Sequence, residues 1–333
     1  MSYDIITFGS ATQDIHVKSK AFKILEGKKD FGPGKGICLP FGSKIKVEDV
    51  IFTSGGGGTN TAVTFEKQGL KTAFCGAIGA DVSGLEIIRE LKHLWVDTRF
   101  VVKKKEKHTN YSIVMSSDSG ERTILAYRGA SDMVDQKDVK WDKIKKTKWF
   151  YLAPLAGEQL NIFGALVDFA RENKIKLAVN PSKQQLSLSE SELKNIFSKV
   201  DILFLNQEEA SFLTKVSSIE EQNVLIEISK MCPGVVVMTK GAEGVVVYDG
   251  KHIYSAKPNL NRKIVDTTGA GDSFAAGFLS DYIRQKGSIE KAIQLGMANS
   301  EACLSEIGAK NGLLDKNSKF NLVQVVKTEI LKK

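Results

Sequence analysis

The stretch Val265–Phe278, VDTTGAGDSFAAGF, sets acceptor-rich residues, a Gly-Ala-Gly turn and one carboxylate directly before a run of small and aromatic residues. Glycine permits positive φ and close approach to the main chain, so Gly269, Ala270 and Gly271 mark a place where a ligand meets the backbone. Phe274, Phe278 and Tyr282 recur at helical spacing, which predicts a helix starting near Gly271. The first N–H groups of a helix lack intrahelical partners and carry the positive end of its dipole, so an anion suits that position. Asp272 then falls in the first turn, beside the anion. Taken alone, an aspartate there is an ordinary cap. Next to a bound phosphoryl group it can also take the proton from an attacking hydroxyl.

Upstream of this stretch, short apolar runs alternate with amphipathic ones. DIITFG, TAFCGAIG, KWFYLA, IKLAVN, VDILFLN and GVVVMTK have the β-branched character of strands buried on both faces. Between them, Ser83 to His93 and Asn161 to Glu172 carry helical periodicity, with Ile162, Leu166 and Phe169 on one face. The alternation predicts an α/β fold, a doubly wound, mostly parallel sheet flanked by helices, whose ligands bind at the carboxyl ends of the strands. A single domain over residues 1–333 is expected.

Two regions interrupt the alternation. Lys18 to Thr53 is rich in Gly, Lys and Phe, contains Pro33 and Pro40, and is too long for an ordinary connection. YSIVMSSDSGERTILAYRG reads as a hairpin turning at Asp118 to Gly120. Together, residues of about 16–53 and 109–130 are expected to form a small β-sheet lid over the strand ends, or a contact surface for a homodimer, and the two uses are compatible. Phe22, Phe31 and Phe41 line such a lid or pack its own small core.

The net charge of +8 suits anionic small substrates as well as nucleic acid, but no zinc-finger spacing or aromatic RNA-binding signature accompanies it, so no nucleic-acid partner is expected. Cys38, Cys75, Cys232 and Cys303 are scattered without a Cys-x-x-Cys pair, which predicts free thiols and a cytoplasmic location. The opening MSYDIITFGS has neither a basic leader nor a long apolar core, so no signal peptide, membrane span or membrane partner is expected.

SGGGGTNTAV, Ser54 to Val63, is a second glycine-rich turn entering a helix. It does not satisfy Gly-x-Gly-x-x-Gly, and the chain holds no Gly-x-x-x-x-Gly-Lys-Ser/Thr loop, which disfavours a dinucleotide oxidoreductase and a P-loop enzyme. Asn60 supplies both a donor and acceptors, suited to a polyhydroxylated ligand or to a turn.

These stretches together resemble the ribokinase-like (PfkB) family of sugar and nucleoside kinases over nearly the whole chain. DTTGAGDSFAAGF is similar to the family's C-terminal signature, GGGGTN to its Gly-Gly-x-Gly-x-Asn element, and FGSATQD to its opening strand ending in a substrate-binding aspartate. NQEE resembles its Asn-x-x-Glu motif and TKGAEG its nucleotide loop. The resemblance implies ATP-dependent phosphorylation of a primary hydroxyl, with Asp14, Gly56, Gly57 and Asn60 around the sugar. Asp272 is then the base, and the amides of Gly269, Ala270 and Gly271 form the anion hole. Asn206, Thr239, Gly241, Ala298 and Asn299 border the nucleotide, while Glu209 orients Mg2+ through water. Asp266, with the loop near Gly308, matches the region where family members often bind a monovalent cation such as K+. YLAPLAGE lacks the acidic residue that ribokinase carries at the comparable strand end, and AYRGASDMV is closer to fructokinase-type relatives. A nucleoside kinase has the same chemistry with a different acceptor pocket, and a non-catalytic sensor on the same fold would have no need of Asp272.

Overall fold

Residue alternation along the apolar runs sends side chains to opposite faces of a sheet, and in this chain both faces are covered by helices. The computed structural model describes residues 2–27, 34–117, 122–259 and 263–329. Among them, ten strands form one sheet in the order Val325–Glu329, His252–Ala256, Val245–Tyr248, Val235–Thr239, Ile202–Asn206, Lys176–Val179, Trp149–Leu152, Ile5–Phe8, Thr72–Gly79, Asp97–Lys104. The seven from Val235–Thr239 onward in that order run parallel, and the three at the opposite edge pair antiparallel. Ile6, Phe8, Phe150, Leu152, Leu203 and Leu205 point to one side, among Phe163, Leu166, Phe197 and Ile228. Ile5, Tyr151, Phe204 and Val237 point to the other, among Phe274, Phe278, Leu279 and Ile293. Strands buried on both faces therefore read as unbroken apolar runs rather than as alternating ones. The helices expected from periodicity form at Val82–His93 and Leu160–Glu172.

A separate four-stranded sheet, ordered Asp49–Gly55, Thr12–Lys18, Asn110–Ser116, Arg122–Tyr127, makes the lid. The chain leaves the large sheet at Phe8 and enters the lid at Thr12. The lid thus begins earlier than the expected residue 16, and Asp14 lies on a lid strand rather than at the end of the opening strand. Asp14 is opposite Thr53 on one side and Ser112 on the other. Its face of the lid looks inward, whereas Phe52, Ile15, Ile113 and Leu125 form a cross-strand row on the outer face. Lys23–Glu26 and Lys35–Cys38 add a two-stranded hairpin. Phe22 is buried and Phe41 fully exposed. Phe31, Pro33 and the turn at Asp118 to Gly120 lie outside the described residues. No helix among the described residues is long and apolar enough to cross a membrane.

Candidate active site

Strand order reverses where Ile5–Phe8 lies beside Trp149–Leu152, and in open α/β sheets ligands settle beyond the carboxyl ends at such a point. A cavity of about 200 Å³ opens there. Ser10 and Pro154 from the strand ends line it, with Thr12, Asn110 and Ser112 of the lid and Arg128 and Asp132 beyond them. Burial raises the pKa of Asp132, and the positive charges of Arg128 and Lys107 oppose that rise.

Two glycines bring main chain to this cavity. Gly56 precedes the helix Gly57–Lys67 with φ 97°, and a Cβ on it would come within 2.5 Å of the Ser10 carbonyl, so a side chain is excluded by both strain and space. A Cβ on Gly57 would lie 3.2 Å from Pro154 Cδ and 3.5 Å from Asp272 Oδ1, which places Gly57 between the cavity wall and that carboxylate.

Asp272 lies in the first turn of the helix Ala270–Arg284, which starts one residue before the expected Gly271. Gly269 caps it with φ 76°, and a Cβ there would collide with Ala309, so this residue too must be glycine. Around Gly271 a Cβ would meet nothing within 4 Å, leaving room in front of the helix start. The Ala270 N–H reaches only the Thr267 carbonyl, at 3.4 Å. Asn60 donates from Nδ2 to Asp272 Oδ2 at 2.9 Å. Asp272 keeps some solvent exposure, yet protein crowds its carboxyl so closely that burial holds its pKa above the ordinary aspartate value, with the Asn60 bond opposing. Asn60 is buried, and its Oδ1 has no hydrogen-bond partner. A buried acceptor left unpaired is costly unless a ligand satisfies it.

Asp14 is buried on the inner lid face, and burial raises its pKa while the Ser112 hydroxyl opposes. Near it lies Lys310, which the sequence reading missed because a lone lysine in a loop carries no pattern. Its ammonium donates to Ser54 Oγ at 2.5 Å and approaches Glu90 Oε2 at 3.2 Å, tying the lid strand Asp49–Gly55 to the helix Val82–His93.

A second cavity, of about 370 Å³, lies on the other side of the Ala270–Arg284 helix start. Thr239, Gly241, Ala270 and Gly271 line it, with Phe274 and the helix Ile289–Leu304. The residues that this helix presents are Met297, Ser300, Glu301 and Leu304 rather than the expected Ala298 and Asn299. Asn299 is fully buried, donating from Nδ2 to the Ser273 carbonyl at 2.8 Å and accepting at Oδ1 from Leu314 N–H at 2.9 Å, so both ends of its amide are engaged in holding the fold. The spacing i, i+3, i+4, i+7 of the four lining residues was the signal available in the sequence.

Asn206 and Glu209 close a reciprocal cap on the helix Gln207–Thr214. Asn206 Oδ1 accepts from Glu209 N–H at 2.8 Å, and Glu209 accepts from Asn206 N–H at 2.9 Å. Asn206 pairs in register with Thr239, so the cap stands at the strand end beside the second cavity without lining it. Burial raises the Glu209 pKa, and its cap bond opposes this. Asp266 is held by Arg122, Thr268 and Gly308.

The pfkB family carbohydrate kinase model matches residues 30–317. The chain belongs to this family. Its relatives include a ribokinase of Haemophilus influenzae, 27% identical over 83% of this chain and 90% of that protein. A nucleoside kinase of Methanothermobacter thermautotrophicus is 29% identical over 69% of this chain and 72% of its own length. A probable fructokinase of Arabidopsis thaliana is 27% identical over 77% and 83%. Among solved structures, the ribokinase of Arabidopsis thaliana complexed with ribose and ATP superposes with a TM-score of 0.77 at 21% identity, covering 95% of this chain and 97% of that one. The adenosine kinase of Sinorhizobium meliloti gives 0.75 at 22% identity, covering 94% and 97%. The sequence relatives support a carbohydrate or nucleoside kinase, and the structural likenesses establish the ribokinase fold.

Proposed function

We propose that this pfkB-family chain transfers the terminal phosphoryl group of ATP to a primary hydroxyl of a small sugar held in the cavity at the strand-order reversal. The observation that carries the reading is the position of Asp272. Its carboxyl faces Gly57 at the acceptor cavity, is braced by Asn60, and stands in the first turn of a helix whose start borders the second cavity. Its raised pKa brings the base closer to working pH, where a general base is most effective. The acceptor hydroxyl gives its proton to Asp272, its oxygen bonds to the phosphorus, and the bond to ADP breaks. Amides of Gly269, Ala270 and Gly271 would stabilise charge on the transferring group.

Asp14 and the unpaired Asn60 Oδ1 would accept hydrogen bonds from sugar hydroxyls. Thr239 and Gly241, with Met297 and Ser300 opposite, would hold the nucleotide. No group of three or more His, Cys, Asp or Glu among the described residues could cage a metal. Magnesium would therefore arrive on the nucleotide phosphates, neutralising their charge, with Glu209 meeting it through water.

Phe22 is buried and Phe41 is turned out to solvent, so neither offers a stacking face, whereas Tyr111 and Tyr127 line the cavity and make a nucleoside the alternative acceptor class. The outer lid row of Phe52, Ile15, Ile113 and Leu125 would be covered if two copies met there. A coupled assay of ADP release against sugars, sugar phosphates and nucleosides tests the reading, with neutral sugars expected to give the highest kcat/KM. Turnover confined to nucleosides would refute the acceptor class, and no turnover with any acceptor would refute the kinase.

A further inference from the structure

The resemblance places a monovalent cation beside Asp266, and the surroundings of that carboxylate do not fit one. Oδ1 accepts from Arg122 Nη1 at 2.7 Å, from the Thr268 N–H at 2.9 Å and from the Thr268 hydroxyl at 2.8 Å. Oδ2 accepts from the Gly308 N–H at 3.0 Å, with His16 Nδ1 at 3.9 Å. A carboxylate offers about four lone-pair sites, so donors already occupy Asp266. Arg122 Nη1 also approaches the Thr268 hydroxyl, at 3.3 Å, spanning the two side chains. A bare cation here would have to displace the guanidinium or share the carboxylate with a like charge.

The origin of the arginine gives the contact a consequence. Arg122 is the first residue of the outer lid strand Arg122–Tyr127, opposite Ser116. Asp266 precedes Gly269 by three residues in the loop that delivers the Ala270–Arg284 helix start. Both residues line a cavity of about 610 Å³ between the inner lid face and this loop. Asp266 is buried while the Arg122 side chain keeps 30% of its exposure, so the carboxylate is fixed in the body and the arginine reaches it from the rim.

We infer that Arg122 supplies, from the lid, the positive charge behind the phosphate-binding loop, so that this chain needs no bound monovalent cation and sets that loop only when the lid hairpin is closed. The inference rests on the Ala270–Arg284 helix start being the phosphoryl site. Lid closure then does two things at once: it covers the acceptor and it completes the electrostatics of the loop. An open lid would leave Asp266 beside the phosphates without its counter-charge, weakening nucleotide binding until closure.

The test measures turnover, and calorimetric affinity for a non-hydrolysable ATP analogue, in tetramethylammonium chloride and in KCl at equal ionic strength. The wild-type protein is expected to give the same values in both. Arg122→Ala is expected to lose analogue affinity on the order of tenfold in tetramethylammonium, within the range of ordinary coupling between sites. KCl should restore it, and thallium(I) NMR should show an ion bound to this variant but not to the wild type. Arg122→Lys should stay insensitive to K+. Activation of the wild type by K+ would overturn the inference. So would an Arg122→Ala protein that matches wild type in both salts, or one weakened in both without rescue. Analogue binding with no turnover on any acceptor would instead count against the kinase reading, so the two failures are distinguishable.

Discussion

Replacing Asn60 by alanine perturbs both halves of the chemistry at once. Nδ2 donates to Asp272 at 2.9 Å, and a hydrogen bond to a charged group is worth about 1.5–3 kcal/mol. That bond opposes the burial that raises the Asp272 pKa, so its loss lets burial act with less opposition. Each pH unit corresponds to about 1.4 kcal/mol, and the acidic limb of kcat/KM should move upward by on the order of one to two units. Independently, Oδ1 is a buried acceptor without a partner, waiting for a donor that a sugar hydroxyl would supply. Its removal should raise the acceptor KM by about 5- to 150-fold, the equivalent of about 1–3 kcal/mol, while the KM for ATP changes little. The assay is initial-rate kinetics across pH with each substrate varied in turn. An unmoved acidic limb with an unchanged acceptor KM would refute the placement of Asn60 between base and acceptor. A rise in the ATP KM alone would show that the two cavities have been assigned the wrong way round.

Gly269→Ala forces a β-carbon into the left-handed φ of 76° and against Ala309. It should cost about 1–3 kcal/mol in urea unfolding and lower kcat as the helix start shifts. Asp272→Asn should make the ligand-free protein more stable at pH 7. A carboxyl whose folded pKa is raised binds more protons folded than unfolded, so its cost grows as pH rises through the window above the unfolded value of about 3.9. Urea melts should show that gain at pH 7 and its disappearance at lower pH, where both states are protonated.

The central sheet was legible because burial on both faces leaves unbroken β-branched runs, and six of these became parallel strands. The lid hairpin was legible from its alternation on either side of a turn. Asp14 sits on the lid because Gly9 and Ser10 break the run FGSATQD where the chain changes sheets between Phe8 and Thr12, a break that the resemblance to a single opening strand passes over. Glycine turns announce themselves in sequence, and at the two helix starts Gly56 and Gly269 hold positive φ. Helix faces are harder to read. The resemblance alone puts Asn299 beside the nucleotide, whereas Met297 and Ser300, on the other face of the same helix, line the cavity. Contacts between distant segments leave no local trace, which is why Lys310 with Ser54 and Arg122 with Asp266 emerge only in three dimensions.

The most direct test of the central claim is the turnover of Asp272→Asn measured across pH with a saturating sugar and ATP. Asparagine is nearly isosteric and can still accept from Asn60, so the fold and the analogue affinity should persist while the base is gone. The account predicts a fall in kcat of about 10²- to 10⁴-fold and disappearance of the acidic limb attributed to Asp272. Near wild-type turnover, or a retained acidic limb in the asparagine variant, would contradict it.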